Sequence, residues 1–329
     1  MPARAPLLTG TLFALAAGLM WGLVFVTPLL LADYPAAVLS FGRYLAFGLI
    51  ALPLAWLDRG RIAALTRADW REALRLALVG NILYYLCLAA AIQRAGAPLP
   101  TMIIGTLPVV IAVVSQLRGS QHTVVAGDGR PPWRRLLPSL GLIALGIVLV
   151  NQVETQSLQG DRSAHLTGTL LAVGAVACWT WYPIRNADWL RAHPDRSPST
   201  WATAQGLATL PLAALGFVGY WAWHAGSDNA FQMPFGPTPW RFVGGMLALG
   251  LLASWLGTLC WNEASQRLPT SLVGQLIVFE TLAALSYAYM LRAAWPAPMT
   301  LVGVALLVAG VVWALRIRPE PVTAQARAN

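Results

Sequence analysis

A polytopic α-helical membrane protein is the fold class this sequence predicts, and three features predict it. Apolar residues fill 57% of the 329 positions and charged residues only 11%, against roughly 25% charged in a soluble domain that must cover its surface with solvated groups. The apolar residues gather into ten runs of about 20, each long enough at about 1.5 Å per residue to cross a hydrocarbon layer of about 30 Å. Segments of about ten alternating residues between polar turns, the mark of a transmembrane barrel, are not visible. The expectation is an all-α membrane protein of ten transmembrane helices.

Taken in order, the runs fall at about 10–32, 36–57, 73–93, 98–118, 135–152, 167–189, 200–223, 240–262, 269–291 and 297–316. The first exceeds the roughly 7–15-residue core of a signal peptide, and no small-residue cleavage site follows it, so it reads as a span. It carries Gly18 and Gly22, which permit close helix approach, as do Gly303 and Gly310 in the last. Pro28, Pro53, Pro108, Pro183 and Pro211 mark bends, because proline removes an internal hydrogen bond. The fourth and fifth runs are joined by 119–133, which reads as a flexible connection, and the seventh and eighth by 224–239, rich in Gly, Pro and Phe. Trp70, Trp133, Trp240 and Trp295 sit where interfacial anchors are expected. Residues 318–329 read as a disordered cytoplasmic tail.

The net charge of +9 is a topology signal. All 22 basic residues are arginine, and with the N-terminus inside, 17 fall in alternate, cytoplasmic segments and 4 in the others, leaving Arg43 within a span. Both termini are therefore expected in the cytoplasm, and nucleic acid is not expected as a partner. Cys87, Cys178 and Cys260 all lie in spans and share no metal-type spacing with the four histidines; they read as small packing residues. No cofactor or metal is expected. A phosphate-cradling loop of the lysine-bearing type is impossible in a chain without lysine, so a gradient must drive any transport.

The chain also repeats itself. LCLAAAIQR, from Leu86, returns as LCWNEASQR, from Leu259, with five of nine residues matched at an offset of 173. GTLFALAAGLMW, from Gly10, returns as GTLLAVGAVACW, from Gly168, at an offset of 158. Runs 1 and 3 thus match runs 6 and 8, and the unit is five spans. An odd unit must insert upside down the second time, giving two inverted repeats, 8–152 and 165–317, whose interface can open to either side in turn. That arrangement favours a transporter over a plain helical bundle.

The stretches GLMWGLVFV, FGRYLAFGLIALPL, AAAIQRAGAPLPTMIIGTLPVVIAVV and EASQRLPTSLVGQLIVFETLAALSYAYML resemble the EamA-type drug/metabolite transporter family over about 8–317. The resemblance implies a ten-helix secondary exporter of metabolites in a bacterial inner membrane, closest in its aromatic content to the YddG amino-acid exporter branch. Two positions depart from the pattern. Glu280 is followed by Thr281 where the family often has proline, and the residues before Pro108 are not aromatic.

Candidate substrate-binding residues follow from position and chemistry. Glu280 lies mid-span, where a charge costs at least about 2.5–3.5 kcal/mol; it either exchanges a proton or contacts solute during the cycle, pairs with Arg43, or bonds to backbone freed at a bend. Arg43 either snorkels outward or receives a carboxylate on its bidentate fork. Trp21 and Trp179 are repeat mates, Asn81 shares a helix face with Tyr84 and Tyr85, and Trp255 shares one with Thr258 and Asn262. With Tyr182, these aromatic rings bearing polar tips suit an amphipathic solute. The expected partners are a small-molecule solute and the lipid bilayer, with amino acids leading and organic cations or drugs next. A channel or an intramembrane enzyme are the competing classes, and the spans hold no H-E-x-x-H, G-x-S-x-G or paired aspartates. The sequence sets no oligomeric state.

Overall fold

The computed structural model describes residues 4–95, 98–117, 133–155, 162–225, 231–293 and 295–316; the expected tail at 318–329, most of the 119–133 connection and residues 226–230 lie outside them. Among the described residues every regular element is helical. We number them α1 (Arg4–Leu30), α2 (Ala36–Leu57), α3 (Arg59–Ala63), α4 (Arg67–Ala95), α5 (Pro98–Gly105), α6 (Leu107–Leu117), α7 (Trp133–Thr155), α8 (Arg162–Ala192), α9 (Pro198–Ala225), α10 (Pro239–Arg267), α11 (Thr270–Leu276), α12 (Val278–Arg292) and α13 (Pro298–Arg316). Among the described residues six stretches, against the ten expected, are long and apolar enough to cross a membrane: Leu7–Leu30, α2, α4, α9, α10, and Leu272–Leu291, which runs through α11 and α12. Leucine, valine and tryptophan side chains stand exposed along these helices, Trp240 at 88%, and Trp295 in the α12–α13 link is 94% exposed, as lipid-facing and interfacial residues should be.

Three local features shape the bundle. A capping box opens α4, with Thr66 Oγ1 accepting from Asp69 N and Asp69 Oδ2 accepting from Thr66 N. Within α4 the stretch Ala77–Leu83 widens to π-helix, and α10 does the same at Leu249–Leu256. The ninth apolar run is broken between α11 and α12 at Ile277, where Glu280 N bonds back to Ile277 O in a tight turn. The helix is thus interrupted here although Thr281 stands where the family often has proline.

Contacts recur at fixed spacings in the chain. Gln93 Nε2 donates to Tyr34 O and Gln93 Oε1 accepts from Ala36 N, holding the α1–α2 link; its mate Gln266 Nε2 donates to Arg196 O in the α8–α9 link. Arg94 Nη1 donates to Ala90 O, and Arg267 Nη1, 173 residues on, to Glu263 O. The doubled Gln-Arg therefore makes matching backbone contacts twice. α1 crosses α12 at Gly18 and Gly22, where an added β-carbon would stand 3.1 Å from Glu280 N and 2.7 Å from Ala283 Cβ. α7 and α13 meet reciprocally. A β-carbon on Gly146 would lie 2.6 Å from Gly303 O, and one on Gly310 would lie 2.9 Å from Ser139 O. Each of these residues is 164 positions from its counterpart.

This geometry sets an expected result for stability. Gly146→Val drives side-chain carbons into the α13 backbone and should cost about 1–3 kcal/mol, whereas Gly141→Ala, on the same helix with nothing within 4 Å, should be neutral or slightly stabilising. Melting temperatures of the two purified variants in one detergent check this, and equal values would refute the close approach.

Candidate functional site

α1, α2, α4, α8, α10 and α12 converge on a small cavity of about 10 Å³, lined by Trp21, Val24, Arg43, Tyr44, Asn81, Tyr84, Trp179, Ala253, Ser254, Thr258 and Glu280. It is room for about one water molecule. Both π-helical stretches reach it, through Asn81 in one and Ala253 with Ser254 in the other. A π turn displaces the residues after it around the helix axis, so polar groups can be aimed where regular spacing would not put them.

Two buried ionisable side chains face this space. Arg43 is 5% exposed and Glu280 3%. The Arg43 guanidinium lies 4.9 Å from the Tyr44 ring centroid and 4.7 Å from that of Tyr85, and its Nε donates to Ser254 Oγ at 3.0 Å. The guanidinium is buried and held by cation–π contacts and one hydrogen bond, and does not snorkel to the interface. Glu280 occupies the first turn of α12, a helix that begins inside the run, so the positive end of the helix dipole offsets part of the carboxylate's burial cost. Arg43 and Glu280 form no ion pair with each other. Arg43 Nη1 and Glu280 Oε2 each lack a hydrogen-bond partner.

Aromatic rings form the rest of the wall. Trp21 meets Trp179 edge-on at 5.2 Å and 75°, and its Nε1 donates to Ala253 O at 2.8 Å. Tyr84 and Tyr182 both stack on Trp179, at 4.6 and 4.9 Å. Of the residues singled out from sequence, Trp21, Arg43, Asn81, Tyr84, Trp179 and Glu280 line the cavity together. Tyr85 and Tyr182 stand directly behind it, against Arg43 and Trp179 respectively. Trp255 is placed apart, its Nε1 donating to Thr203 Oγ1 on α9 at 3.0 Å.

Ser254 and Tyr44 escaped the sequence reading. Ser254 was signalled by the repeat, since it is Asn81 moved on by 173. The two mates do parallel work: Asn81 Nδ2 donates to Thr209 Oγ1 on α9, and Ser254 Oγ accepts from Arg43 on α2.

Side-chain contacts tie the helices together toward either end of the bundle. At one end Glu72 takes Arg185 bidentately, with Nε–Oε1 at 2.6 Å and Nη2–Oε2 at 3.1 Å, while Asp69 faces Arg196 and His193 at 3.9 and 4.0 Å. At the other, Tyr34 OH donates to Phe235 O at 2.8 Å and accepts from Thr238 N, its ring stacked on Phe242 at 4.9 Å. A polar chain ties α8, α9 and α10 together: Tyr182 OH donates to Gln205 Oε1, Gln205 Nε2 and Trp201 Nε1 both donate to Asn186 Oδ1, and Asn186 Nδ2 donates to Asn262 Oδ1.

Known proteins share this architecture. A solved crystal structure, 18% identical, superposes with a TM-score of 0.69 over 93% of this chain and 96% of its own, which speaks for the fold. The Inner membrane protein YtfF of Escherichia coli (strain K12) is 52% identical over 316 residues, covering 95% of this chain and 97% of that protein. The description of the EamA-like transporter family matches residues 8–125. A helical membrane chain with a buried, charged and aromatic central cavity is thus joined by descent to transporters, and it belongs to the EamA-like transporter family.

Proposed function

We propose that the chain is a secondary transporter that exports small amphipathic metabolites, amino acids with aromatic or hydrophobic side chains foremost. In this reading two inverted five-helix repeats, 8–152 and 165–317, expose the central cavity alternately to the two sides of a bacterial inner membrane. Both termini are cytoplasmic. The recurrence of contacts at fixed offsets supports the repeat, because paired elements that pack alike can exchange conformations at little net cost.

The observation that carries the substrate class is the pair of orphaned atoms, Arg43 Nη1 and Glu280 Oε2, at one small cavity with aromatic walls. A carboxylate satisfies the first and an ammonium the second, and an apolar side chain finds the rings. An organic cation fits Glu280 and the aromatic wall equally well, but it leaves Arg43 unpaired and meets its repulsion. Counterflow by purified protein in liposomes tests this, with labelled amino acids and a quaternary ammonium ion side by side. Amino-acid counterflow is expected; exchange of the quaternary ion alone would transfer the assignment to cations.

A further inference from the structure

The two repeat-matched tryptophans of the cavity are held in opposite ways. Trp21 is fixed by its hydrogen bond to Ala253 O. Trp179, 6% exposed, has an indole N–H without a partner, and ring contacts hold it: Tyr84 at 19° and Tyr182 at 3° to its plane, with Trp21 at its edge. A buried N–H left unpaired is a standing cost, removed by any acceptor that arrives. A cavity of about 10 Å³ admits no amino acid until some side chain gives up its space. Between the two lining indoles, Trp21 would sacrifice a hydrogen bond by moving and Trp179 would sacrifice none.

We propose that Trp179 sets the specificity of the site: in the empty carrier its indole occupies the place of the solute's side chain. A solute bearing a flat aromatic group replaces it against Tyr84 and Tyr182, while its carboxylate and ammonium reach Arg43 and Glu280. A flat ring recovers the stacking that the indole gives up, whereas a branched aliphatic chain recovers burial only. Tyr182 is anchored for this purpose through its hydroxyl on Gln205. The inference rests on the amino-acid reading above and goes further, by naming the side chain that the solute must displace.

Binding of L-tryptophan and L-leucine to the purified wild-type chain and to Trp179→Ala, by calorimetry, separates the possibilities. If the indole is a displaceable occupant, removing it restores the fraction of carriers competent to bind, and L-tryptophan binds Trp179→Ala about tenfold more tightly. If Trp179 is instead a fixed wall that the solute touches, the variant binds more weakly, and that overturns the proposal; so does unchanged affinity. Wild-type affinity equal for L-tryptophan and L-leucine would overturn the preference for a flat ring. Trp179→Phe, a smaller perturbation, should move in the same direction by less, and it serves if the alanine variant does not fold. In protein labelled with 5-fluorotryptophan, the resonance missing from Trp179→Phe should shift on adding L-tryptophan, and a stationary signal counts against displacement. Amino-acid counterflow by the wild type together with weaker binding by Trp179→Ala defeats this inference alone. Absence of any amino-acid counterflow defeats the reading beneath it.

Discussion

Arg43→Met should lower transport of carboxylate-bearing solutes by about a hundredfold and turn the remaining preference toward amines. The side chain gives up a guanidinium held by Tyr44, Tyr85 and Ser254, and truncating one member of a buried, hydrogen-bonded charge pair costs about 2–5 kcal/mol. Three kcal/mol in that range is about two orders of magnitude. Discrimination should change as well as rate, because the variant keeps Glu280 and loses the cation opposing it. Tyramine, which is tyrosine without its carboxylate, should compete for the variant better than tyrosine does, reversing the wild-type order. Arg43→Lys should fall between the two, since an ammonium restores the charge but not the planar fork or the stacking surface. The mirror variant, Glu280→Gln, should penalise the ammonium end instead. Competition counterflow with tyrosine and tyramine on all three variants checks the series, and an unchanged order in Arg43→Met would remove the carboxylate receptor.

The tests turn on residues that the sequence revealed unevenly, for physical reasons. Trp21, Asn81, Tyr84, Trp179 and Glu280 were legible because each is a polar or aromatic group at mid-span, where its presence demands compensation. Arg43 was ambiguous. Seven residues into a helix, an arginine can reach either the interface or the interior, and only the partners Ser254 and Tyr85, distant in sequence, decide it. Trp255, Thr258 and Asn262 share a face by regular helical spacing, and Thr258 lines the cavity while Asn262, like Trp255, bonds to α9; the π-helical stretch Leu249–Leu256 sets what precedes them. Trp255 faces α9 while Ser254 faces the cavity. Periodicity of 3.6 cannot foresee such a turn. The repeat was the strongest long-range signal, as Gln93 and Gln266 show by clamping corresponding links. Gly18 and Gly22 were legible as points of close approach, but their partner α12 was not. The break at Ile277, which no proline announces, has its counterpart between α5 and α6 at Thr106, just before Pro108, with the same turn from Val109 N to Thr106 O.

Loss of the Glu72–Arg185 pair should tip the carrier toward opening at that end. The pair joins α4 to α8 beside a cleft of about 300 Å³ that Asp69 and Trp189 also line. Its repeat mates, at offsets of 173 and 158, are Gly245 and Thr27. A β-carbon on Gly245 would meet only Leu31, at 3.6 Å, and Thr27 Oγ1 turns back to Leu23 O. One end of the bundle is therefore latched by charge where its counterpart has apolar contact. In the alternating-access reading proposed above, duplicated helices make two states nearly equal in energy, so the balance between them would be set where the copies differ, as at this pair. The Glu72 side chain is 7% exposed but Arg185 is 44% exposed, which puts the pair between a screened surface bridge of about 0–1 kcal/mol and a buried one of about 3–5. A loss of about 1–2 kcal/mol in Glu72→Gln shifts the equilibrium roughly 5–30-fold. The reporter is Val24→Cys at the cavity wall, in a chain whose three native cysteines have been replaced, labelled with an impermeant maleimide from the Glu72 side. Labelling should quicken in Glu72→Gln and return toward the parent rate when the charges are exchanged, Glu72→Arg with Arg185→Glu. A reversed pair reproduces the attraction while changing both side chains, so recovery of the slow rate assigns the effect to charge pairing and not to packing around α4.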